Sequence, residues 1–231
     1  MDIAGLQKNT LLDYPGKIAC TVFLAGCNLR CPFCHNPSLV LLSRAEPPAM
    51  TESELLAFLK KRRGLLEGVC ITGGEPTLHR DLPRLMGKIT ALGYPVKLDT
   101  NGTNPKMLGQ LLEAGLLSYV AMDIKNAPGE YQKTCGGADV VESVAESVKI
   151  LRNAGIPYEF RTTVAKPLHS EKTMQALGQW LSGGEPYFIQ NFRDTGDLVG
   201  HGLSAFSREE LEALLSAVRP YLPNARIRGN E

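Results

Sequence analysis

Three cysteines lie close together near the N-terminus with the spacing C-x3-C-x2-C, at Cys27, Cys31 and Cys34. Iron–sulfur clusters are held by cysteine thiolates, four of them when the protein caps every iron. No fourth cysteine lies nearby in the sequence, so three ligands on a four-iron cluster would leave one iron open. An open coordination position separates a catalytic metal site from a closed structural one. The spacing therefore predicts a metal centre that takes part in chemistry.

The same thiols allow two other interpretations. With His35 as a fourth ligand they could hold structural zinc, because three cysteines and one histidine are a recognised zinc set. They could also be small buried hydrophobic residues, as free cysteine often is. The segment is polar, is broken by Pro32 and carries Arg30 and Asn36, which disfavours simple burial.

The chain around these cysteines alternates between strand-like and helix-like segments. Apolar runs of strand length cover 18–24, 68–72, 94–98, 119–124, 158–164 and 187–190, with a short further run at 225–227. Segments with a helical pattern cover 51–63, 82–92, 106–114, 140–154, 171–181 and 208–221. Strands that alternate with helices of about ten to fifteen residues predict βαβ units and a parallel sheet. The expected fold class is α/β, with one domain over 1–231 in which 1–17 is a lead-in segment and 18–229 the sheet and its helices.

Polar residues follow six of these strands at their carboxyl ends, which is where ligands bind in parallel α/β sheets and barrels. In chain order the six ends carry the cysteine loop, Gly73-Gly74-Glu75, Asp99-Thr100-Asn101, Asp123 with Lys125, Arg161 with Thr163, and Gln190 to Arg193. If the sheet curves, all six ends meet at one mouth above one metal centre.

These strand ends offer the groups that an amino acid needs. Glycine lets the backbone approach a ligand closely. Carboxylates accept from an ammonium group or bind a small cation, whereas lysine and arginine meet a carboxylate. The residues that offer these groups are Gly73, Gly74, Glu75, Asp99, Asp123, Lys125 and Arg193. Together they fit a zwitterionic amino acid bound beside a metal cluster.

Composition narrows the class of protein. The 231 residues include 25 Lys and Arg and 24 Asp and Glu, interleaved, for a net charge of +1. This balance gives no basic surface for nucleic acid or for an anionic membrane. No apolar stretch reaches the roughly 20 residues of a membrane span, and the N-terminus lacks the plan of a signal peptide. Six cysteines with three clustered predict a reducing cytoplasm rather than a disulfide framework.

The motifs together resemble the radical S-adenosylmethionine superfamily, and more narrowly the activating enzymes of glycyl-radical enzymes. The resemblance rests on the three-cysteine motif after the first strand, Gly73-Gly74-Glu75-Pro76, Asp99-Thr100-Asn101-Gly102 and Met122-Asp123-Ile124-Lys125. Residues 12–17, the string 26–37 and Gln190-Asn191-Phe192-Arg193 are similar to the activase of the anaerobic ribonucleoside-triphosphate reductase. The similarity extends from about residue 5 to residue 229.

The resemblance implies the radical SAM fold, a partial, TIM-like (β/α)6 barrel that holds a [4Fe-4S] cluster on the three cysteines. The open iron would bind the amino and carboxylate groups of S-adenosylmethionine. Phe33 and His35 would line the adenine side, and the strand end at 73–76 would meet the methionine ammonium.

The resemblance also assigns the remaining candidates. Asp99, Asp123 and Lys125 match positions around the methionine carboxylate, where relatives of the pyruvate formate-lyase type hold a monovalent cation. Asn101, on the same strand end as Asp99, belongs to the same set of cofactor-binding candidates. Arg193 stands where those relatives have a histidine on the ribose, so the ribose contact departs from the family pattern.

The implied reaction begins with one electron from reduced flavodoxin or ferredoxin. S-adenosylmethionine is then cleaved to methionine and a 5′-deoxyadenosyl radical, which removes a hydrogen atom from a glycine of a partner protein. The segment 37–50 contains no cysteine, which excludes the branches with a ferredoxin-like insertion. Three classes remain: a glycyl-radical activase, for the reductase or for a pyruvate formate-lyase type of enzyme; a radical enzyme acting on a small molecule; and a zinc-stabilised binding protein.

Overall fold

One sheet of nine strands runs through the computed structural model, which describes residues 2–34, 36–41, 48–194, 196 and 198–229. The strands are β1 (Asp2–Thr10), β2 (Ala19–Leu24), β3 (Met50–Thr51), β4 (Gly68–Gly73), β5 (Val96–Thr100), β6 (Tyr119–Asp123), β7 (Tyr158–Val164), β8 (Tyr187–Asn191) and β9 (Ala225–Arg228). Their order across the sheet is β3-β1-β2-β4-β5-β6-β7-β8-β9. Every pairing from β2 to β9 is parallel, whereas β1 runs antiparallel to both β2 and β3.

Helices connect the parallel strands. They are α1 (Pro37–Leu41), α2 (Glu52–Lys61), α3 (Leu82–Ala91), α4 (Pro105–Glu113), α5 (Pro128–Thr134), α6 (Val141–Arg152), α7 (Glu171–Leu181) and α8 (Arg208–Val218). Capping boxes begin α2, α7 and α8, where Thr51, Ser170 and Ser207 each accept from the backbone three residues on. Within the described residues, no helix has the length and apolar character that crossing a membrane requires.

The expected α/β class with a mostly parallel, open sheet is confirmed, and each predicted strand lies within two residues of its observed bounds. Within the lead-in expected over 1–17, residues 2–10 form a strand, β1, that the sequence pattern does not predict. Among its described side chains only Ile3 is fully buried, and Gln7, Lys8 and Asn9 are exposed, so no apolar run marks this strand. Pairing with β2 supplies the stability that its own sequence lacks.

Charged residues fill the inside of the sheet below its carboxyl ends. Along β7, Glu159 and Arg161 share one face, because side chains alternate along a strand. Glu159 is 1% exposed and binds Arg228 through two parallel bonds of 2.6 and 2.8 Å. Lys97 on β5 is equally buried and pairs with Asp99 two residues on. Buried charged side chains on β5 and β7 therefore lie next to the carboxyl ends of the strands, where ligands bind.

Candidate active site

A cavity of about 420 Å³ opens at the carboxyl ends of the parallel strands. Its walls include Cys27, Cys31, Phe33, Cys34, Gly73, Gly74, Glu75, Asp99, Asn101, Asp123, Lys125, Arg161, Thr163 and Gln190. The structure therefore brings together all the predicted site residues except two. His35 lies outside the described residues. Arg193 is exposed and donates to the carbonyl oxygen of Gly229 at 3.3 Å, and Gln190 of β8 lines the cavity in its place.

The end of β4 holds the cysteine loop in position. The backbone N–H of Gly74 donates to Leu24 and that of Glu75 donates to Gly26, both at 2.8 Å. A Cβ atom on Gly73 would lie 2.1 Å from the Leu24 oxygen, and one on Gly74 would lie 2.1 Å from the Gly26 oxygen. Both glycines therefore allow two stretches of this chain to approach each other. The sequence predicts that these glycines let the backbone approach a ligand, and the packing of backbone against backbone is a further role.

Gly74→Ala is expected to lower the free energy of unfolding by about 1–3 kcal/mol, because the new methyl group must displace backbone rather than a flexible side chain. The cysteine loop would move with it, so the purified variant should take up less iron on anaerobic reconstitution. Urea unfolding and iron analysis measure the two effects.

Gly109→Ala is the matched control, because a Cβ there meets nothing within 4 Å and the residue lies inside α4. Alanine should stabilise that helix by about 0.5–1 kcal/mol. Equal effects of the two substitutions would contradict the packing argument.

The three cysteines of the motif are free thiols in different surroundings. A hydrogen bond from the Cys135 thiol, together with the nearby Lys125 ammonium, lowers the pKa of Cys31 despite its burial. Burial raises the pKa of Cys27 and of Cys34. Cys135, for which the sequence suggests no role, is thus a buried neighbour of Cys31.

These residues fit the iron–sulfur cluster that the sequence predicts. All three cysteines line one cavity, and soft thiolates are the ligands that such clusters use. Where the chain is described, no three His, Cys, Asp or Glu side chains gather closely enough to hold a single metal ion. A multi-iron cluster binds each thiolate at a separate iron, so the sulfurs need not share one centre.

Glu75 has a structural part that its motif does not reveal. Its Oε1 accepts from the backbone N–H and the hydroxyl of Thr77 at 3.0 and 2.5 Å, and from the Thr100 hydroxyl at 2.8 Å. Its Oε2 accepts from the backbone N–H of Asn101 at 2.7 Å. The carboxylate therefore ties the end of β4 to the end of β5, and burial raises its pKa. Binding of a ligand ammonium by Glu75 stays a prediction, with Oε2 as the oxygen that has acceptor capacity left.

Asp99 and Asp123 share one guanidinium. Arg161 contacts Asp99 Oδ2 through Nη2 at 3.1 Å and binds Asp123 through Nε. Lys97 also pairs with Asp99, and the Lys125 ammonium lies 2.8 Å from Asp123. Burial opposes ionisation, but Arg161 and the lysines hold the pKa of both carboxyls below the usual range. Each carboxylate thus has two protein cations, which lessens the need for the monovalent cation expected from the resemblance; that cation stays a prediction.

A histidine that no motif indicates supports the Phe33 side of the cavity. Phe33 is 3% exposed and packs edge-on against His169 with ring centroids 6.2 Å apart. The backbone N–H of Ala165 donates to His169 Nδ1 at 3.1 Å, so Nε2 carries the proton and donates to the Lys125 carbonyl at 2.9 Å. Burial lowers the pKa of His169 and keeps the ring neutral. Its place in the loop between β7 and α7 carries no sequence signal.

A family model of the radical SAM superfamily matches residues 21–181. A protein of Methanocaldococcus jannaschii with the provisional name glycyl-radical enzyme activating enzyme is 29% identical over 236 aligned positions, covering 98% of this chain and 95% of that protein. The 7-carboxy-7-deazaguanine synthase of Thermococcus kodakarensis is 29% identical over 197 positions, covering 76% of this chain and 74% of the synthase.

A solved structure shows the same architecture. A domain of pyruvate-formate lyase-activating enzyme from Bacteroides vulgatus superposes with a TM-score of 0.57 at 19% identity, covering 70% of this chain and 99% of that domain. At this level of identity the likeness concerns the fold. It agrees with the open, partial barrel expected from the sequence.

Proposed function

The chain belongs to the radical SAM superfamily, and from this premise we propose that it activates a glycyl-radical enzyme. Members of this superfamily use a [4Fe-4S] cluster and S-adenosylmethionine. When bound, these cofactors supply one electron and, by reductive cleavage of the sulfonium, a 5′-deoxyadenosyl radical that can take a hydrogen atom from a glycine Cα. The observation that carries the proposal is the match to the Methanocaldococcus jannaschii protein over 98% of this chain and 95% of that one.

The residues of the cavity would bind, orient and shield these cofactors, which is the usual contribution of the protein. Cys27, Cys31 and Cys34 would hold the cluster. Lys125 has ammonium protons beyond the one shared with Asp123, so it can donate to the carboxylate of an amino acid. Phe33 offers an apolar ring on the side assigned to adenine.

The small volume of the cavity supports a protein substrate, because it leaves little space for a second small molecule beside the cofactor. A volume of about 420 Å³ lies near the lower end of the range of about 300–1,000 Å³ for small-molecule sites. Below it, the paired side chains of Lys97, Glu159 and Arg161 occupy the inside of the sheet. A cofactor of the size of S-adenosylmethionine would fill this space, and the substrate would reach it from the open side.

We further propose the anaerobic ribonucleoside-triphosphate reductase as the partner, on the strength of residues 12–17, the string 26–37 and Gln190 to Arg193. Reduced flavodoxin or ferredoxin is the proposed electron donor. The second candidate function is chemistry on a small molecule, which the similarity to 7-carboxy-7-deazaguanine synthase favours.

The test mixes the anaerobically reconstituted, reduced protein with S-adenosylmethionine and each candidate glycyl-radical enzyme. EPR spectroscopy should show a glycyl radical on the reductase, and chromatography should show 5′-deoxyadenosine in matching amount. A glycyl radical on a pyruvate formate-lyase type of enzyme instead would identify that enzyme, and not the reductase, as the partner. Formation of 5′-deoxyadenosine with no glycyl radical on any partner would contradict the activase proposal and favour the small-molecule one.

A further inference from the structure

The Asn101 side chain has a fixed orientation. Its Oδ1 accepts from the backbone N–H of Thr103 at 3.0 Å and from the Thr103 hydroxyl at 2.7 Å. A backbone N–H can only donate, so the atom that faces it must be the amide oxygen. The Nδ2 group therefore points to the other side, and the residue is 5% exposed.

On that side the amide group meets the cysteine loop. Asn101 Nδ2 lies 3.1 Å from Asn28 Oδ1 and 3.8 Å from Cys27 Sγ. Asn28 in turn donates to the Thr103 hydroxyl at 2.8 Å, which joins the two loops from both directions. With two N–H protons and two acceptors in place, the amide has one proton for the sulfur.

The Cys27 sulfur consequently accepts hydrogen bonds from two N–H groups. Besides the Asn101 amide, the backbone N–H of Leu29 lies 3.4 Å from its sulfur. Hydrogen bonds to cysteine sulfur are among the factors that set the reduction potential of an iron–sulfur cluster. They draw electron density from the sulfur, which favours the more negatively charged, reduced state.

We propose that Asn101 is a positioning residue that donates a hydrogen bond to the Cys27 thiolate and thereby raises the reduction potential of the cluster this thiolate holds. The proposal rests on the proposed function, because it takes Cys27 as a cluster ligand. It gives Asn101 a task that differs from direct contact with S-adenosylmethionine. The amide makes the cluster easier to reduce, so a donor of higher potential suffices.

Asn101→Asp and Asn101→Ala test the proposal. Aspartate keeps the acceptor for Thr103 but places an oxygen where the donor was, and alanine removes the donor without adding charge. The midpoint potential of the reconstituted cluster is measured by EPR-monitored redox titration, in the absence of S-adenosylmethionine and of any partner. At a fixed potential we expect the ratio of reduced to oxidised cluster to fall about tenfold in Asn101→Ala, equivalent to about 59 mV for a one-electron couple. The fall should be larger in Asn101→Asp.

Asn104→Asp is the matched control. It makes the same change of charge three residues further on, where the side chain caps α4 and donates to the Thr77 carbonyl at 2.7 Å. In this variant the ratio of reduced to oxidised cluster should stay within twofold of the wild-type ratio. Equal shifts in Asn101→Asp and Asn104→Asp would overturn the proposal, because charge alone would then explain them.

Iron and sulfide content is measured for each variant. Full cluster content with the wild-type potential in both Asn101 variants overturns the inference and leaves the proposed function standing. If one variant loses the cluster, the other Asn101 variant decides. Loss of the cluster in both variants overturns the inference, because Asn101 would then be needed to hold the cysteine loop rather than to set the potential. A wild-type protein that takes up no cluster overturns the proposed function and this inference together.

Discussion

Cys31→Ala is expected to abolish both cluster uptake and cleavage of S-adenosylmethionine. The substitution removes one of the three thiolates that line the cavity, and two thiolates leave a four-iron cluster with half of its irons uncapped. The reconstituted variant should lack the visible charge-transfer absorbance, and 5′-deoxyadenosine should fall to background. Iron analysis, absorbance spectroscopy and chromatography measure the three quantities.

Cys20→Ala is the control for the loss of a thiol as such. Cys20 is fully buried in β2, and burial raises its pKa to about 12, as suits an inert core residue. Its replacement should cost about 1 kcal/mol of stability and leave the cluster content unchanged. If Cys31→Ala kept a full cluster and the cleavage activity, the ligand set of Cys27, Cys31 and Cys34 would be refuted.

Arg161→Met is expected to lower the free energy of unfolding at pH 7 by about 3 kcal/mol. Breaking a buried ion pair costs about 3–5 kcal/mol because the partner charge is left uncompensated. Here two carboxylates lose one shared guanidinium, but Asp99 keeps Lys97 and Asp123 keeps Lys125. These remaining cations and the 27% exposure of Asp123 place the effect at the lower end of that range. Urea unfolding followed by circular dichroism measures it, and binding of S-adenosylmethionine should weaken in the same variant.

The pH dependence of this difference follows from the depressed pKa values of Asp99 and Asp123. A carboxyl whose pKa is lower in the folded state stabilises the fold above its unfolded pKa of about 4, and that stabilisation is lost as the pH falls. Arg161 is a main cause of the depression. The gap between wild type and Arg161→Met should therefore narrow as the pH falls from 7 towards 3.

Lys166→Met serves as the comparison for the loss of a surface cation. Lys166 pairs with Glu210, and the two side chains are 37% and 44% exposed. Such pairs are worth about 0–1 kcal/mol, so this variant should stay within about 1 kcal/mol of the wild type. A similar loss of stability in both variants would refute the claim that the shared, buried guanidinium stabilises the fold more than a surface cation does.

The sequence predicted the parallel strands and the place of the site because both depend on local patterns. Apolar runs mark strands that are buried on both faces, such as β2 and β4. Parallel strands also put all their carboxyl ends on one side, so Cys27, Asp99 and Lys125 had to converge. This inference needs only the order of strands and helices along the chain.

What the sequence could not predict depends on contacts between distant parts of the chain. The motif around Glu75 suggests a ligand contact, but only the folded chain shows that Thr100 at the end of β5 and Asn101 directly after it supply two of its donors. The role of Arg161 depends on two aspartates on neighbouring strands. The position of Arg193 depends on where the chain leaves β8, and it turns the side chain away from the cavity.

A sheet that stays open, as this one does, keeps two strand edges that other chains could pair with. Among the described strands these edges are β3, two residues long, and β9, four residues long with Arg226 and Arg228. Very short edge strands and charged side chains are the means by which proteins prevent edge-to-edge aggregation. The sheet can thus stay open at both ends without offering a template for fibrils.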